Sequence, residues 1–425
     1  MSIKLLTSLA IIFVIFFLLY LLSLRAKKRS FIKKITGVIS LLSLIATIVF
    51  SIIYIKSNNI KLFNRVKSYD IKEVYAQTLS KKDADVAYTL LPVTACATND
   101  GFGFINSKGD VFEIKNEQET ITTSTIFNKT SYYNSNKTLK ATITEDGKLI
   151  LDGYLLYSQY DGKKIEFENK TIAENVVTCN FTTNSIFYIT EQGDLYGLGF
   201  NEYGQLGDST TKNKSKPEFI KANVAKASVS DTHAMIVDNH GTLYAVGDNS
   251  YSQLGNKTAV ASNELTKIMQ GVKDVRVGNF YSLVLTVNGE LYTAGINKNG
   301  QLGNGLNEFR AELIHTLSNV EKIEISGNTC AALTYDGELY VWGDNKDFKA
   351  ATDKAEIITE PLKINENVYD FDINEKGIVI ITKDRDILTS NEQGEFDIQI
   401  TFGAQIPEAY KERFPYKHNI SEEKV

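Results

Sequence analysis

One short motif recurs along the chain at a constant interval. It reads QGDLYGLGFNEYGQLGD from Gln192, HGTLYAVGDNSYSQLGN from His240 and NGELYTAGINKNGQLGN from Asn288, and DGELYVWGDN opens a fourth copy at Asp336. The glycine at each turn is 48 residues from the next, at Gly193, Gly241, Gly289 and Gly337. A repeat of this length is typical of propellers and solenoids, in which every copy is one supersecondary unit.

Each copy predicts a set of short strands. Asn-Gly or Asp-Gly between apolar runs predicts a tight hairpin turn of type I′, which needs a positive φ at both central residues. Runs rich in β-formers precede the turn, at 234–237 in one copy, with a further run at 224–229 upstream, and Leu-Tyr follows it. Four strands of ordinary length with their turns fill such a period, which is one propeller blade. No helical periodicity runs through the copies, and this disfavours helical repeats.

The motif DGxLYxxGxNxxGQLG, preceded by a Val-rich strand, resembles the repeat of the regulator of chromosome condensation (RCC1) family. The resemblance covers about residues 90–400 and is partial in the fourth copy, where Lys349-Ala350-Ala351 replaces Gln-Leu-Gly. That family often has a His before the strand that leads into the turn, and His233 matches it. The chain lacks the Trp-Asp of WD40 repeats and the Gly-Gly of kelch repeats. The resemblance implies an all-β, seven-bladed propeller, but a shared fold does not carry an activity with it.

Weaker copies extend the count. Stepping back along the chain finds turns at Gly147 and Gly109, and one further step of 48 residues beyond Gly337 reaches Arg385. Seven turns result, so we predict seven blades, with six as the alternative. Residues 395–401 alternate between apolar and polar, as a half-buried strand does. We expect this last strand to complete the ring.

Two apolar runs at the N-terminus, about residues 5–24 and 35–55, contain no charged residue. At about 1.5 Å per residue each is long enough for the ~30 Å hydrocarbon layer. A cleaved signal peptide and a buried core helix are the alternatives. Arg25-Ala-Lys-Lys-Arg follows the first run directly and argues against cleavage there. We therefore predict that two transmembrane helices precede the propeller.

The loop between these runs, residues 25–34, holds six basic residues and is expected to stay in the cytoplasm. A weaker basic group beyond the second run, at Lys56, Lys61, Arg65 and Lys67, opposes this orientation. The predicted organisation is a transmembrane hairpin over 1–56, a stalk over 57–90, an extracytoplasmic propeller over 91–402 and a tail over 403–425. The Ile-, Lys- and Asn-rich composition is typical of an AT-rich bacterium, so we expect the location to be a bacterial cell envelope.

Few features of the sequence indicate catalysis. Cys96, Cys179 and Cys330 lie far apart and two of them fall on strand positions, which favours buried structural thiols, with a Cys96–Cys179 disulfide as an open alternative. No histidine or cysteine pair has the spacing of a zinc site, and no nucleophile elbow or phosphate loop occurs. We expect no metal, no cofactor and no enzyme activity. The alternative is a cell-envelope enzyme with carboxylates gathered at the propeller axis.

The charge distribution indicates which classes of partner the chain can bind. Residues 1–56 hold eight of the 46 Lys and Arg and none of the 51 Asp and Glu, so the rest of the chain is negative by 13 charges. A negative surface opposes nucleic-acid binding. The chromatin-bound member of the family promotes nucleotide exchange on a small GTPase, but that role is not expected outside the cytoplasm. The predicted function is binding of a protein or an envelope component, with a purely structural scaffold as a third possibility.

The loop between the two strands ahead of each turn recurs in every blade and is expected on one side of the disc. The predicted partner-binding residues in these loops are Phe280, Tyr281, Thr232, His233 and Asn328. Phe280 is the strongest of them, because exposed aromatic residues often dominate interfaces. The competing interpretation buries both Phe280 and Tyr281 between blades.

Overall fold

The computed structural model describes residues 92–98, 101–106, 109, 111–115, 120–123, 130–157, 162–346, 350, 352, 355–391 and 393–400. The predicted transmembrane helices, stalk and tail lie outside these residues. Among the residues described, no helix has the length and apolar character needed to cross a membrane.

The described chain forms seven four-stranded antiparallel sheets, each built from consecutive strands. The first comprises β1 (Pro92–Thr98), β2 (Gly101–Asn106), β3 (Val111–Lys115) and β4 (Thr120–Thr123). The second comprises β5 (Thr130–Ser135), β6 (Leu139–Thr144), β7 (Leu149–Leu156) and β8 (Lys164–Ala173). The third comprises β9 (Val176–Phe181), β10 (Ser185–Thr190), β11 (Leu195–Gly199) and β12 (Lys214–Lys221).

The fourth sheet comprises β13 (Val224–Val229), β14 (His233–Asp238), β15 (Leu243–Gly247) and β16 (Ser262–Met269). The fifth comprises β17 (Val272–Gly278), β18 (Tyr281–Thr286), β19 (Leu291–Gly295) and β20 (Arg310–Leu317). The sixth comprises β21 (Val320–Ser326), β22 (Thr329–Thr334), β23 (Leu339–Asp344) and β24 (Ile357–Asn365). The seventh comprises β25 (Val368–Asn374), β26 (Gly377–Thr382), β27 (Ile387–Ser390) and β28 (Phe396–Ile400). The predicted seven-bladed all-β propeller is confirmed.

The first strand of each blade lies innermost, and six of these strands line a common cavity on the axis. Because the four strands of each blade run up and down in turn, the connections between them lie on two opposite sides of the propeller. We call the side with the first-to-second and third-to-fourth strand connections the loop face. The opposite side, with the second-to-third strand hairpins and the connections between blades, is the turn face. Apolar side chains of the second strands, such as the fully buried Ile236 and Val284, pack between neighbouring sheets and form the core.

All seven predicted turns join the second and third strands of a blade. In the six turns from Gly147 to Arg385, whose residues are all described, the turn type differs from the prediction. At Gly193 the amide donates to Thr190 O at 2.8 Å, and the Thr190 amide donates to Asp194 O at 3.0 Å. Only the glycine has a positive φ, of 81°. This is a three-residue hairpin loop that ends in a left-handed glycine, and the predicted type I′ turn is wrong. In this three-residue loop, the glycine carbonyl also forms a hydrogen bond to the next blade.

A hydrogen bond between blades explains why glycine and valine recur together. The turn glycine's carbonyl accepts a hydrogen bond from the first valine of the following blade, as in Val224 N to Gly193 O at 2.8 Å and Val272 N to Gly241 O at 3.0 Å. The same bond joins Val320 to Gly289 and Val368 to Gly337. The repeated glycine and valine are therefore two ends of one contact.

The seam between the last and first blades is built differently. Pro92 stands where blades 3 to 7 have valine and has no amide hydrogen, and Arg385 stands in place of the turn glycine at a φ of 71°. The contact is reversed, since Arg385 NH1 donates to Pro92 O at 3.2 Å while the guanidinium stacks on Tyr369 at 3.5 Å from the ring centroid. Asp370 and Asp372 accept hydrogen bonds from the amides of Ala95 and Ala97 at 3.0 and 2.7 Å.

The last strand has a different place from the one expected. β28 pairs antiparallel with β27 and is the outermost strand of the seventh blade. It completes that blade, whereas β1 meets β25 through the side chains just described. Propeller blades pack face to face, so the ring closes without a strand shared between the first and last sheets.

The seam predicts an order among substitutions at Arg385. Arg385→Ala should cost about 2 kcal/mol, because a charge-assisted hydrogen bond is lost and the left-handed backbone remains. Arg385→Gly should cost about 1 kcal/mol less than Arg385→Ala, since glycine relieves the backbone. Chemical denaturation of both variants measures this order. Equal stabilities for the two would show that the backbone at this turn carries no strain.

Candidate functional site

The axial cavity has a volume of about 190 Å³ and is lined by polar and charged side chains of the innermost strands. Equivalent positions on successive strands alternate in charge, with Lys226, Asp274, Lys322 and Asp370 at one level. The next level toward the loop face carries Asn180, Ser228, Arg276, Glu324 and Asp372. At the first of these levels, the alternating signs let neighbouring blades attract one another.

Arg276 and Lys322 form ion pairs with the acidic side chains of the cavity. Arg276 binds both carboxylate oxygens of Glu324, at 2.8 and 2.9 Å, and its NH1 donates to Asp274 at 2.9 Å. Lys322 donates to Asp370 at 2.7 Å and lies 3.9 Å from Glu324. Although burial opposes the charge, these carboxylates raise the pKa of Lys322 and hold that of Arg276 well above its usual range.

These contacts weigh against an axial active site. A general acid or base needs a carboxylate oxygen that faces the substrate. Both oxygens of Glu324 bind Arg276, and both oxygens of Asp372 accept backbone amides, from Ala97 and from Ile373. The axial carboxylates that the enzyme alternative requires are present, but their hydrogen bonds join one blade to the next.

Among the axial carboxylates, Asp372 has a raised pKa that can be tested by measurement. Burial, reinforced by the charge of Glu324 and opposed by Lys322, raises its pKa to about 7. The folded chain therefore holds this proton at a pH where the unfolded chain has lost it. The stability that Asp372 contributes is complete below its unfolded value of 3.8 and is lost as the pH rises through about 7.

Asp372→Asn tests this linkage. Relative to the native chain, the variant should gain about 2 kcal/mol of unfolding free energy between pH 5 and pH 8, because asparagine has no proton to lose. Urea denaturation at several pH values measures the difference, and the lost Ala97 contact adds only an offset that does not vary with pH. Parallel stability profiles for the two proteins would contradict the raised pKa.

The axial cavity widens at the loop face into a funnel of about 460 Å³. The connections between first and second strands surround it in blades 2 to 7, contributing among others Lys137, Thr182, Asp231, Asn279 and Glu375. Lys137 and Glu375 form an exposed ion pair of 2.7 Å across the rim. The expectation that these loops share one side of the disc is confirmed.

Three of the predicted partner-binding residues pack inside the propeller. Tyr281 is fully buried and its hydroxyl donates to Gly327 O at 2.9 Å. His233 is also fully buried, with Nε2 2.8 Å from Ser282 Oγ, and burial lowers its pKa to about 3. Thr232 is buried, with its hydroxyl 3.2 Å from His233 Nδ1. The contacts of Tyr281 and His233 join neighbouring blades, and the contact of Thr232 lies within its own blade.

The other two predicted residues lie on the loop face. Asn328 is half-buried and its Oδ1 accepts a hydrogen bond of 3.4 Å from Gln301. Phe280 is half-buried and its ring meets Tyr251 edge to face at 5.3 Å between centroids. The φ of Phe280 is 68°, a left-handed conformation that is rare for a bulky residue. The partner-binding role of all five residues stays a prediction.

Sequence reasoning missed the residue that shapes the loop face. A fully buried asparagine in the third-to-fourth strand loop contacts four backbone or side-chain groups of its own loop. Asn249 donates to Asn256, Thr258 and Val260 at 3.0, 3.0 and 3.1 Å, and accepts from the amide of Leu254 at 3.0 Å. Its counterparts are Asn201, Asn297 and Asn345. The repeated Asn of the motif was the signal for this role.

These loops carry an unusual share of exposed apolar side chains. Of nine large hydrophobic residues exposed among those described, five lie in the third-to-fourth strand loops of blades 3, 4 and 5. They are Tyr203, Tyr251, Val260, Leu306 and Phe309. We call them, together with Phe280, the apolar loop set. Exposed apolar side chains that gather on one side of a domain are a frequent feature of interaction surfaces in proteins.

Other candidates for chemistry are structural. The three cysteines are buried thiols and none forms a disulfide. Within the described part of the chain, no group of three or more His, Cys, Asp or Glu residues has the arrangement of a metal site. On the turn face, His315 Nε2 lies 2.6 Å from Glu290 and 3.2 Å from Ser318. Because one nitrogen serves both partners, this trio cannot relay a proton from a serine to a carboxylate.

Comparison with known proteins agrees with this geometry. The profile described as regulator of chromosome condensation (RCC1) repeat matches residues 192–237, and a second profile of the same description matches 272–301 and 320–348. Comparison with curated protein sequences gave no match.

Solved structures show the same fold. Human WBSCR16 is 16% identical with a TM-score of 0.57, over 69% of this chain and 87% of that one. Prp20p from Saccharomyces cerevisiae, described with its binding to Gsp1p and histones, is 13% identical with a TM-score of 0.58, over 68% and 81%. Yeast RCC1 (Prp20) bound to Kap60 is 13% identical with a TM-score of 0.57, over 68% and 79%. The chain is thus a seven-bladed propeller whose repeats at 192–237, 272–301 and 320–348 are of the type described as regulator of chromosome condensation (RCC1) repeat.

Proposed function

We propose that this chain is a protein-binding module that presents the loop face of its propeller to a partner. The observation that carries the proposal is the apolar loop set, which lies on one face while the axial carboxylates are occupied by contacts between blades. The similarity to Prp20p, which is described as binding Gsp1p and histones, supports a protein as the partner class.

The proposal includes membrane anchoring and an extracytoplasmic propeller. It rests on the two charge-free apolar runs and on the six basic residues between them. Protease added to intact cells or protoplasts should digest the chain beyond Ser57. A propeller protected until the membrane is broken would overturn this orientation and leave the binding proposal standing.

Site-directed photocrosslinking tests the binding face. A photoreactive amino acid at Tyr251 in the full-length chain, expressed in its own membrane, should yield a discrete crosslinked protein. The matched control is Val287, which is 58% exposed on the turn face, against 37% for Tyr251. Crosslinking from Val287 but not from Tyr251 would transfer the interface to the turn face. Absence of a crosslinked protein at both positions would count against a protein partner.

Phe280→Ala should weaken capture of that crosslinked partner at least tenfold, which corresponds to about 1.4 kcal/mol. Aromatic anchors often carry most of the binding energy of an interface. Because the ring is half-buried on the surface, the unfolding free energy should fall by less than about 1 kcal/mol. Pulldown and thermal melting give both quantities. A large loss of stability with unchanged binding of the folded fraction would show that Phe280 belongs to the core.

A further inference from the structure

Two acceptor oxygens near the funnel have no donor. Asn184 is 4% exposed and its Oδ1 is buried without a hydrogen-bond partner. Asp231 lines the funnel, and its Oδ1 is likewise buried without a partner. Almost all buried polar atoms in folded proteins are hydrogen-bonded, so two unsatisfied acceptors together call for an explanation. We call this pair the acceptor cleft.

The cleft lies between two blades. Asn184 belongs to the first loop of blade 3 and Asp231 to the equivalent loop of blade 4. Burial raises the pKa of Asp231 more than its neighbours Thr182 and Asn184 lower it, so the ionised carboxylate is poorly compensated. Gln205 donates to Asp231 O at 3.0 Å and fixes the loop. The side chains of Thr182 and Asn184 also interact with the Asp231 carboxylate, but its Oδ1 has no donor. The group that would satisfy the cleft is a hydrogen-bond donor with a positive charge.

Members of the apolar loop set lie on loops that are linked to the cleft. Gln205, which binds the Asp231 loop, accepts the amide of Tyr203 at 3.2 Å. On the other side, Asn279 lines the same funnel as Asp231, and the adjacent Phe280 contacts Tyr251. The loops that carry these aromatic residues are therefore linked to the loops of the acceptor cleft. This arrangement favours a basic group with apolar neighbours.

We infer that the acceptor cleft receives a lysine or arginine side chain of the partner, whose apolar neighbours pack against Tyr203 and the Tyr251–Phe280 pair. This inference rests on the proposed protein-binding function and specifies what the partner presents. The propeller's negative charge favours approach of such a segment, and two acceptors at a buried site select the charged donor over a neutral one.

Two peptides test the inference on the purified full-length chain. One is N-acetyl-Leu-Arg-Leu-amide, and the other replaces arginine with citrulline, which keeps the shape and removes the charge. Titration followed by nuclear magnetic resonance should show at least tenfold tighter binding of the arginine peptide. Asp231→Asn should remove that preference, whereas Asp194→Asn, on the turn face of the preceding blade, should retain it.

The outcomes separate this inference from the proposed function. Equal binding of both peptides to the native chain, or an unchanged preference in Asp231→Asn, would overturn the acceptor cleft. If Phe280→Ala then weakens both peptides alike, the loop face still binds and only the basic subsite is wrong. Failure of both peptides to bind at millimolar concentration also rejects the cleft, while crosslinking from Tyr251 decides the function independently.

Discussion

A chain that ends at Gly394 is expected to lose about 4 kcal/mol of unfolding free energy and about 10 °C of melting temperature. The truncation removes β28, whose pairs with β27 include Ile398 with Leu388 and Phe396 with Ser390. Phe396 also packs against the largest hydrophobic cluster. Without this strand, β27 becomes an unpaired outer edge, and such edges promote aggregation.

The control is a chain that ends at Pro407, which keeps β28 and should melt like the full-length protein. Differential scanning calorimetry and light scattering on heating measure stability and aggregation together. If the two truncated chains melt at the same temperature, β28 contributes nothing to the seventh blade, and the ring is stabilised by the innermost strands alone.

The blades could be predicted because their signal is local. Gly193, Gly241 and Gly289 each end a hairpin whose strands are neighbours in sequence, so the 48-residue interval marks successive sheets. Even the weak copies at Gly109 and Arg385 fall at the turn position. Contacts within a blade leave a periodic pattern that one sequence displays.

The candidate site could be predicted only in part, because its contacts join different blades. Phe280 was found as an aromatic residue in a loop, but its ring contact with Tyr251 comes from the preceding blade. The burial of Tyr281 and His233 depends on partners 46 and 49 residues away. Nothing in the local sequence distinguishes a side chain that faces solvent from one that fits against the adjacent sheet.

The same limit applies to the seam. Arg385 in place of glycine and Pro92 in place of valine each look like a degenerate repeat. Their meaning emerges only when the first and last blades meet, since the missing amide of Pro92 is matched by the donor of Arg385. Departures from the repeat can therefore mark contacts that the repeated blades do not make.

Asn249→Ala is expected to lower the unfolding free energy by about 3 kcal/mol, because this fully buried side chain donates to three acceptors of its loop and accepts from the Leu254 amide, at about 3 Å each. Removing it leaves the carbonyls of Thr258 and Val260 and the amide of Leu254 without their partner. The loop also carries Tyr251, so crosslinking from that position should fall even in the folded fraction. Presentation of the aromatic residue and stability of the blade depend on the same asparagine.

Ser250→Ala is the matched control, since Ser250 lies in the same loop but makes an exposed contact of 2.6 Å with Asp248. It should change stability by less than about 0.5 kcal/mol and leave crosslinking intact. Denaturation by urea and crosslinking yield at a fixed temperature give the two readouts. Wild-type crosslinking in a destabilised Asn249→Ala protein would separate the roles: the asparagine would then support the fold, and Tyr251 would be positioned by Phe280 alone.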